Sequence, residues 1–317
     1  MAAEYNATVA QRVELAPGLI ILRVVPDKLP FEFKAGQYVV LGLKASAPRI
    51  DEAEATSEAE LLPAGALDSA PAVAADGSVG EETAHSAESA GSAEVRESPA
   101  TSAIVTARPD PDKMIRRAYS IASGSRSDEF LEFYVTVVMS GDLTPRLFRL
   151  GIKDRLYVGP KAVGVFTLDK APKDHSVLLV ATGTGLAPYM SMLRTELECG
   201  GRRQFVVLHG ARYSWDLGYR TELTSISRHC PNLHYLPVIT RPSEDPTWRG
   251  RSGYLQDVLT SGVVEADTGL GLTPDNWHVY LCGNPGMIET VIERLSARGF
   301  VKDRGHDIGT LHTEEYW

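Results

Sequence analysis

At 317 residues, with 43% apolar and 23% charged residues, the chain has room for two separate cores and the composition of an ordinary soluble protein. Residues 1–13 are polar and mixed, so no secretory leader is expected, and apolar runs such as 177–181 are far too short to cross a bilayer. The net charge of −9 is unevenly spread: residues 46–112 hold 14 Asp and Glu against 3 Arg and no Lys, so that segment carries −11 and the remainder +2. No basic cluster points to nucleic acid.

Cys199, Cys230 and Cys282 lie far apart in sequence. They are expected to form neither a disulfide framework nor a metal or iron–sulfur ligand set, which places the protein in a reducing cytoplasm.

Residues 8–43 read as β structure: 19–25 is rich in β-branched and large apolar residues after the turn Ala16-Pro17-Gly18, 31–33 alternates, and 38–43 resumes after Ala35-Gly36. From about 45 to 113 the composition shifts to Ala, Ser, Glu, Pro and Gly without an aromatic residue. Such a stretch buries too little apolar surface to offset its ordering, so 46–112 is expected to be a disordered acidic insert; a short helix over 52–62 is the competing reading. Residues 131–138 form a strong strand. Thr144-Pro145 opens a short helix with Thr144 as its cap, and 155–158 and 163–168 close an all-β unit that suits a barrel.

Beyond residue 172 the pattern changes. Strands at 177–181, 205–208, 234–239 and 278–282 alternate with helices at 188–198, 219–229, 255–259 and 286–298. This alternation predicts a parallel sheet with both faces covered and ligands at the carboxyl ends of its strands.

Thr182-Gly183-Thr184-Gly185 sits where a strand turns into a helix and can lay free backbone N–H groups against a pyrophosphate. Pro188 replaces the third glycine of the dinucleotide fingerprint, and an ordinary strand-to-helix turn explains the two glycines as well. The next strand ends in Ala211-Arg212 rather than an acid, the following one in Thr240-Arg241, and Arg251 lies just beyond. Three guanidinium forks near strand ends suit a 2′-phosphate and favour NADP over NAD; solvated loop arginines are the plainer alternative. Cys282 ends a strand and Gly283-Asn284-Pro285 turns it into a helix. Its small side chain can approach the reacting end of a nicotinamide or simply fill the core.

Arg117-Ala118-Tyr119-Ser120 combines a cation, an aromatic ring and a hydroxyl, as a cofactor with a phosphate, a flat ring and a polar edge requires. Alone it also fits an amphipathic strand with an exposed arginine. Taken with Gln37-Tyr38, His209-Gly210-Ala211-Arg212-Tyr213, Cys282-Gly283-Asn284-Pro285 and a terminal Tyr316-Trp317, it resembles the bacterial-type ferredoxin/flavodoxin–NADP reductases over nearly the whole chain outside the insert.

That resemblance implies an antiparallel β-barrel FAD domain over 1–170, an α/β NADP-binding domain with a parallel sheet over 173–311, and a tail over 312–317 packed on FAD. Arg117 would neutralise the flavin pyrophosphate, Tyr119 stack on the ring and Ser120 bond near N5. Tyr134, Val135, Thr136 and Val137 would line the ring and ribityl chain. Asp142, Leu143 and Thr144 would offer backbone N–H groups to phosphate, and Tyr316 and Trp317 would pack on flavin and adenine. Glu314 or Glu315 is a candidate proton relay, against an ordinary solvated carboxylate.

The implied activity is hydride exchange between NADP(H) and FAD, with single electrons passed to ferredoxin or flavodoxin by a monomer, because no metal or cluster ligands occur in the chain. The rivals are a reductase component of an oxygenase, a reductase releasing free flavin, and a non-catalytic flavin redox sensor. The acidic insert departs from the family pattern and should repel acidic carriers unless held away.

Overall fold

The computed structural model describes residues 4–51, 110–305 and 307–315. The expectations for 52–109, including the helix over 52–62, and for Tyr316 and Trp317 lie outside the described residues.

The first sheet contains β1 (Ala7–Ala16), β2 (Leu19–Pro26), β3 (Tyr38–Lys44), β4 (Met114–Ser120), β5 (Leu131–Thr136) and β6 (Arg155–Val158). They pair antiparallel in the order β4-β3-β6-β1-β2-β5. The two end strands meet where Ala122 N–H donates to the Glu132 carbonyl at 2.8 Å, which turns the sheet into a barrel. Alternate residues such as Ile20, Leu22, Leu41, Phe133 and Val135 fill its interior, as the period of two requires. A short helix, α1 (Thr144–Arg149), plugs one end with Leu147 and Phe148.

The second sheet contains β7 (Ser176–Thr182), β8 (Phe205–Ala211), β9 (Leu233–Ile239), β10 (Arg251–Ser252), β11 (Trp277–Cys282) and β12 (Leu311–Glu314). All its pairings are parallel, in the order β10-β9-β8-β7-β11-β12. The chain winds outward from β7 in both directions, so the strand order reverses between β7 and β11. Helices α2 (Ala187–Glu196), α3 (Arg220–His229), α4 (Leu255–Thr260), α5 (Val263–Thr268) and α6 (Pro285–Ser296) cover the sheet. The apolar strands split by alternation: Leu179, Tyr280 and Cys282 face one cluster, and Leu178, Val279 and Leu281 the other. The first of these clusters also contains Leu19, Ile21, Ala122 and Phe166 from the barrel side, so the halves share apolar packing.

Several expectations change. Residues 31–33 form no strand; Phe31 and Phe33 pack on the barrel core without a partner edge. Residues 163–168 make only the Tyr38–Val163 bridge, because Gly164 turns away at φ 115° against the Tyr38 ring. Thr144 is inside α1, with Leu143 in the cap position; its hydroxyl instead closes the preceding loop through Val138 N (2.9 Å) and O (3.0 Å). Residues 311–314, of which 312–314 were expected in the tail, are the sixth strand of the parallel sheet.

Cys199 and Cys230 form a disulfide, with Cα atoms 4.8 Å apart. Their separation of 31 residues hid the pairing, because each cysteine follows the end of a helix, α2 or α3, and the two helices are bound side by side by Arg194 and Glu222. The cysteine argument for a reducing compartment falls with it. No helix among the described residues is long and apolar enough to cross a membrane, and no group of three or more His, Cys, Asp or Glu there can hold a metal ion.

Candidate functional site

β4 pairs only with β3, and β5 only with β2. Past the single Ala122–Glu132 bond their facing edges carry no ladder, although β-strand backbones need partners for every second N–H and C=O. Tyr119 and Ser120 stand on one edge, and Tyr134, Val135 and Thr136 on the other. Tyr119 is half-buried, and burial holds its hydroxyl protonated well above the usual phenol range against the opposing pull of Arg117. Ser120 is buried, whereas Arg117 and Ala118 are exposed; the Arg117 guanidinium rests on the Arg116 carbonyl at 2.8 Å. Asp142, Leu143 and Thr144 stand at the start of α1, where Arg146 holds the Asp142 carbonyl (2.5 Å) and that of Ala45 (2.7 Å).

Not every expected ring contact is available. Val135 and Val137 point into the barrel core, so they offer backbone rather than side chains; Thr136 alone of the four is exposed. Tyr134 is buried against the other half: its hydroxyl accepts from Gly218 N (3.0 Å) and its ring meets that of Tyr219 edge-on at 5.1 Å. These contacts brace the two halves.

The second cluster lies at the reversal point between β7 and β11, where open parallel sheets bind ligands. Two turns interlock there. A Cβ on Gly185 would strike the Cys282 carbonyl, and one on Gly283, at φ 129°, would strike the Thr182 hydroxyl. That hydroxyl accepts the Asn284 N–H at 2.7 Å, while Asn284 Oδ1 caps α6 at Met287 N (3.0 Å), with Pro285 in its first turn. Gly183 is different: a Cβ there would meet nothing within 4 Å, so Gly183 borders open space, with half-buried Thr184 next to it in sequence.

Cys282 itself has no exposed surface; in register it stands between Ala181 and Glu314. Beneath the turn, fully buried His209 bonds Tyr235 through Nδ1 (3.2 Å), and its Nε2 faces the Gly183 backbone without a well-formed hydrogen bond. Burial pushes its pKa down to about 4, so it is neutral.

Arg212, Arg241 and Arg251 are brought to the same carboxyl edge by β8, β9 and β10, with Thr240 N on the Ala211 carbonyl and Arg241 N on that of Arg212, both 3.0 Å. What surrounds them was not legible from residue types or spacing. Arg241 reaches the Tyr213 hydroxyl (3.3 Å), which donates to Glu244 (2.6 Å), and Arg251 meets Asp267 at 3.3 Å. Tyr213 stacks on the exposed Trp215 at 4.6 Å.

The two clusters are neighbours, since β5 lies against the Gly183–Leu186 turn. Sequence reasoning also missed the joint that holds them: Glu132, an acid inside an apolar strand, which alternation alone marks as solvent-facing.

Comparison with known proteins agrees with this geometry. Residues 179–293 match the family model of the oxidoreductase NAD-binding domain. The flavodoxin/ferredoxin–NADP reductase of Buchnera aphidicola (subsp. Baizongia pistaciae) is 31% identical over 206 residues, 65% of this chain and 82% of the relative. That of Escherichia coli K12 is 32% identical over 205 residues, 64% and 81% of the two chains. In three dimensions a ferredoxin NADP+ reductase from Neisseria gonorrhoeae, solved with bound FAD and NADP, superposes with a TM-score of 0.68 at 19% identity, covering 98% of both chains.

Proposed function

This chain belongs to the flavodoxin/ferredoxin–NADP reductase family, and from that premise we propose how its residues divide the work. The protein is an FAD-dependent oxidoreductase that exchanges hydride with NADP(H) and single electrons with a carrier protein. Bound FAD supplies the hydride and one-electron chemistry; the chain supplies binding, orientation and electrostatics.

The unladdered edges of β4 and β5 fit a flavin, because a planar ring with a polar rim can satisfy both backbones at once. Arg117, exposed on β4, is positioned to meet its pyrophosphate, and the backbone from Asp142 to Thr144 adds donors. Tyr119 provides the stacking face, held neutral by burial, and Ser120 a hydroxyl at the ring edge. On the other side Gly183 and Thr184 border room for the nicotinamide dinucleotide, while the Gly185 and Gly283 close approach keeps the two turns in fixed relation. Ala211, Arg212, Thr240, Arg241 and Arg251 form the 2′-phosphate end. Cys282 closes the floor, and Glu314, beside it in register, is the candidate for holding a proton there. Tyr316 and Trp317 keep their proposed role as rings packed on FAD.

The observation that carries the reading is the contact between β5 and the Gly183–Leu186 turn, which puts a flavin edge and a nucleotide turn side by side. The carrier is proposed to be ferredoxin or flavodoxin, served by a monomer. The purified protein is expected to be yellow and to bleach much faster with NADPH than with NADH in rapid mixing; equal rates would remove the arginine assignment, and a colourless protein that takes up no FAD would remove the whole reading.

A further inference from the structure

Glu132 sits mid-strand on β5 with no exposed surface, yet it is ionised: burial opposes the charge, and Arg194 together with bonds from Tyr219 and Arg23 outweighs it. One oxygen accepts from Arg23 Nε at 2.7 Å, its cross-strand neighbour on β2. The other accepts from Arg194 Nη1 at 2.6 Å and Tyr219 Oη at 2.7 Å. Arg23 belongs to the barrel, whereas Arg194 is on α2 and Tyr219 caps α3, so one carboxylate ties three elements from both halves.

The knot extends further. Arg194 also donates to the Ala122 carbonyl at 2.9 Å and grips Glu222 with two bonds, at 2.9 and 2.7 Å. Two acids and two arginines make it neutral, which a buried cluster requires. Ser125 N–H on Thr195 Oγ1 (2.9 Å) and Gly218 N–H on Tyr134 Oη (3.0 Å) flank it.

β5 itself and both tied helices lead to a cofactor cluster. β5 carries the flavin edge two residues beyond Glu132. α2 starts at the Gly183–Leu186 turn, about 10 Å of helix from Arg194. α3 follows the loop that begins at Arg212. A tilt at the knot would therefore swing the nucleotide turn relative to the flavin edge while leaving each half intact.

We infer that Glu132 is a positioning residue for hydride transfer: by holding Arg23, Arg194 and Tyr219 together, it sets the angle at which the nucleotide half presents its ligand to the flavin half. The inference rests on the two-cofactor reading proposed above. It predicts a specific split, in which binding survives and alignment is lost.

Glu132→Gln keeps the side chain's shape and removes its charge. The holoprotein is expected to retain flavin and to half-saturate with NADPH within about twofold of the parent, whereas the limiting rate of flavin reduction falls about tenfold or more, since stacked reactants tolerate little misplacement. The charge-transfer absorbance seen on adding NADP+ should weaken in parallel. Hydrogen–deuterium exchange gives a readout free of turnover: amides of Gly218 and of the first turn of α3 should exchange faster while those of β1 and β3 do not change.

Tyr219→Phe removes one bond and no charge, and should lower the same limiting rate by a smaller factor; it decides the matter if Glu132→Gln fails to hold flavin. Asp27→Asn, which breaks the exposed pair with Arg155 elsewhere on the barrel, is the control and should stay within twofold. Limiting rates within twofold of the parent in both lock variants would overturn the inference, as would falls that merely track lost flavin and lost thermal stability. The parent reports separately on the reductase reading through its colour and its bleaching by NADPH, and the exchange pattern still reads the lock if that reading fails.

Discussion

Arg212, Arg241 and Arg251 reach one end of the parallel sheet from three neighbouring strands, but their surroundings differ. Arg241 is half-buried, poised on the Tyr213 hydroxyl with Glu244 at 3.9 Å, while Arg251 is exposed and paired with Asp267. Asp267 competes with an arriving phosphate for exposed Arg251, whereas Arg241 stands half-buried beside the Tyr213 hydroxyl on the neighbouring strand end, so Arg241 should carry the larger share of recognition. Charge-assisted bonds of this kind are worth roughly 1.5–3 kcal/mol. Arg241→Ala should therefore raise the KM for NADPH about tenfold or more, leave that for NADH unchanged and leave FAD content intact; steady-state kinetics with both nucleotides tests it, and loss of flavin would mean the clusters are misassigned. Gly283 offers a second check. An alanine there must hold φ 129° and push its Cβ onto the Thr182 hydroxyl, a strain on the order of 1–3 kcal/mol. Gly283→Ala should weaken NADPH binding in a titration while the protein stays yellow.

The acidic segment can be judged by its ends, because the described residues on both sides are fastened. Ala45 N–H bonds the Lys113 carbonyl (2.9 Å) and Ser46 N–H that of Pro111 (3.0 Å), continuing the β3–β4 hairpin, and Lys44 pairs with Asp112 at 2.9 Å. Ile50 N–H then bonds the Pro145 carbonyl on α1 at 3.0 Å, and Arg49 the Met139 carbonyl at 2.8 Å. The compositional boundary at residue 46 therefore falls inside structure the barrel uses. Replacing 52–109 by a short Gly-Ser linker should leave reduction of a small dye by NADPH within about twofold of the parent, since changing the length of a connection costs little free energy. Removing 46–112 should in addition cost thermal stability, measured by scanning calorimetry.

The same elements show what the sequence could and could not reveal. β2, β7 and β11 were legible because unbroken or alternating apolar runs admit few other readings, and the glycine turns because close backbone approach leaves few residue choices. β10 and β12 were not: a two-residue strand and a four-residue strand have no period to detect and exist only because a neighbour offers an edge. The contacts of Tyr134 with Gly218 and Tyr219 were hidden for a related reason, since alternation says which face a side chain takes but not what covers that face.

At the scale of the whole molecule, the buried histidines set how the fold answers to acid. His209, His278 and His312 are all nearly inaccessible, and burial pushes each pKa down to about 4. His278 Nδ1 and His312 Nε2 are 2.9 Å apart, joining β11 to the C-terminal strand, and His312 faces Asp303, itself paired with Lys170. In the unfolded chain these rings titrate near 6.5. Above that pH they are neutral in both states and give no slope. Between 6.5 and about 4 the unfolded chain takes up protons that the native state refuses, so stability must fall as pH falls; below 4 their contribution levels off. His209 alone accounts for on the order of 3 kcal/mol across that window. Carboxylates held below their usual range, Glu132 among them, act lower, their stabilisation being lost only as pH drops below about 4.5. Denaturant midpoints measured with excess FAD at pH 8, 6.5, 5.5 and 4.5 should thus be flat over the first step and decline over the next two. His209→Asn, whose amide can still reach the Tyr235 hydroxyl, should start less stable at pH 8 but lose less on going to 4.5. A parent midpoint that held constant down to pH 4.5 would mean these rings accept protons in the native state and that the His278–His312 contact is wetter than its burial implies.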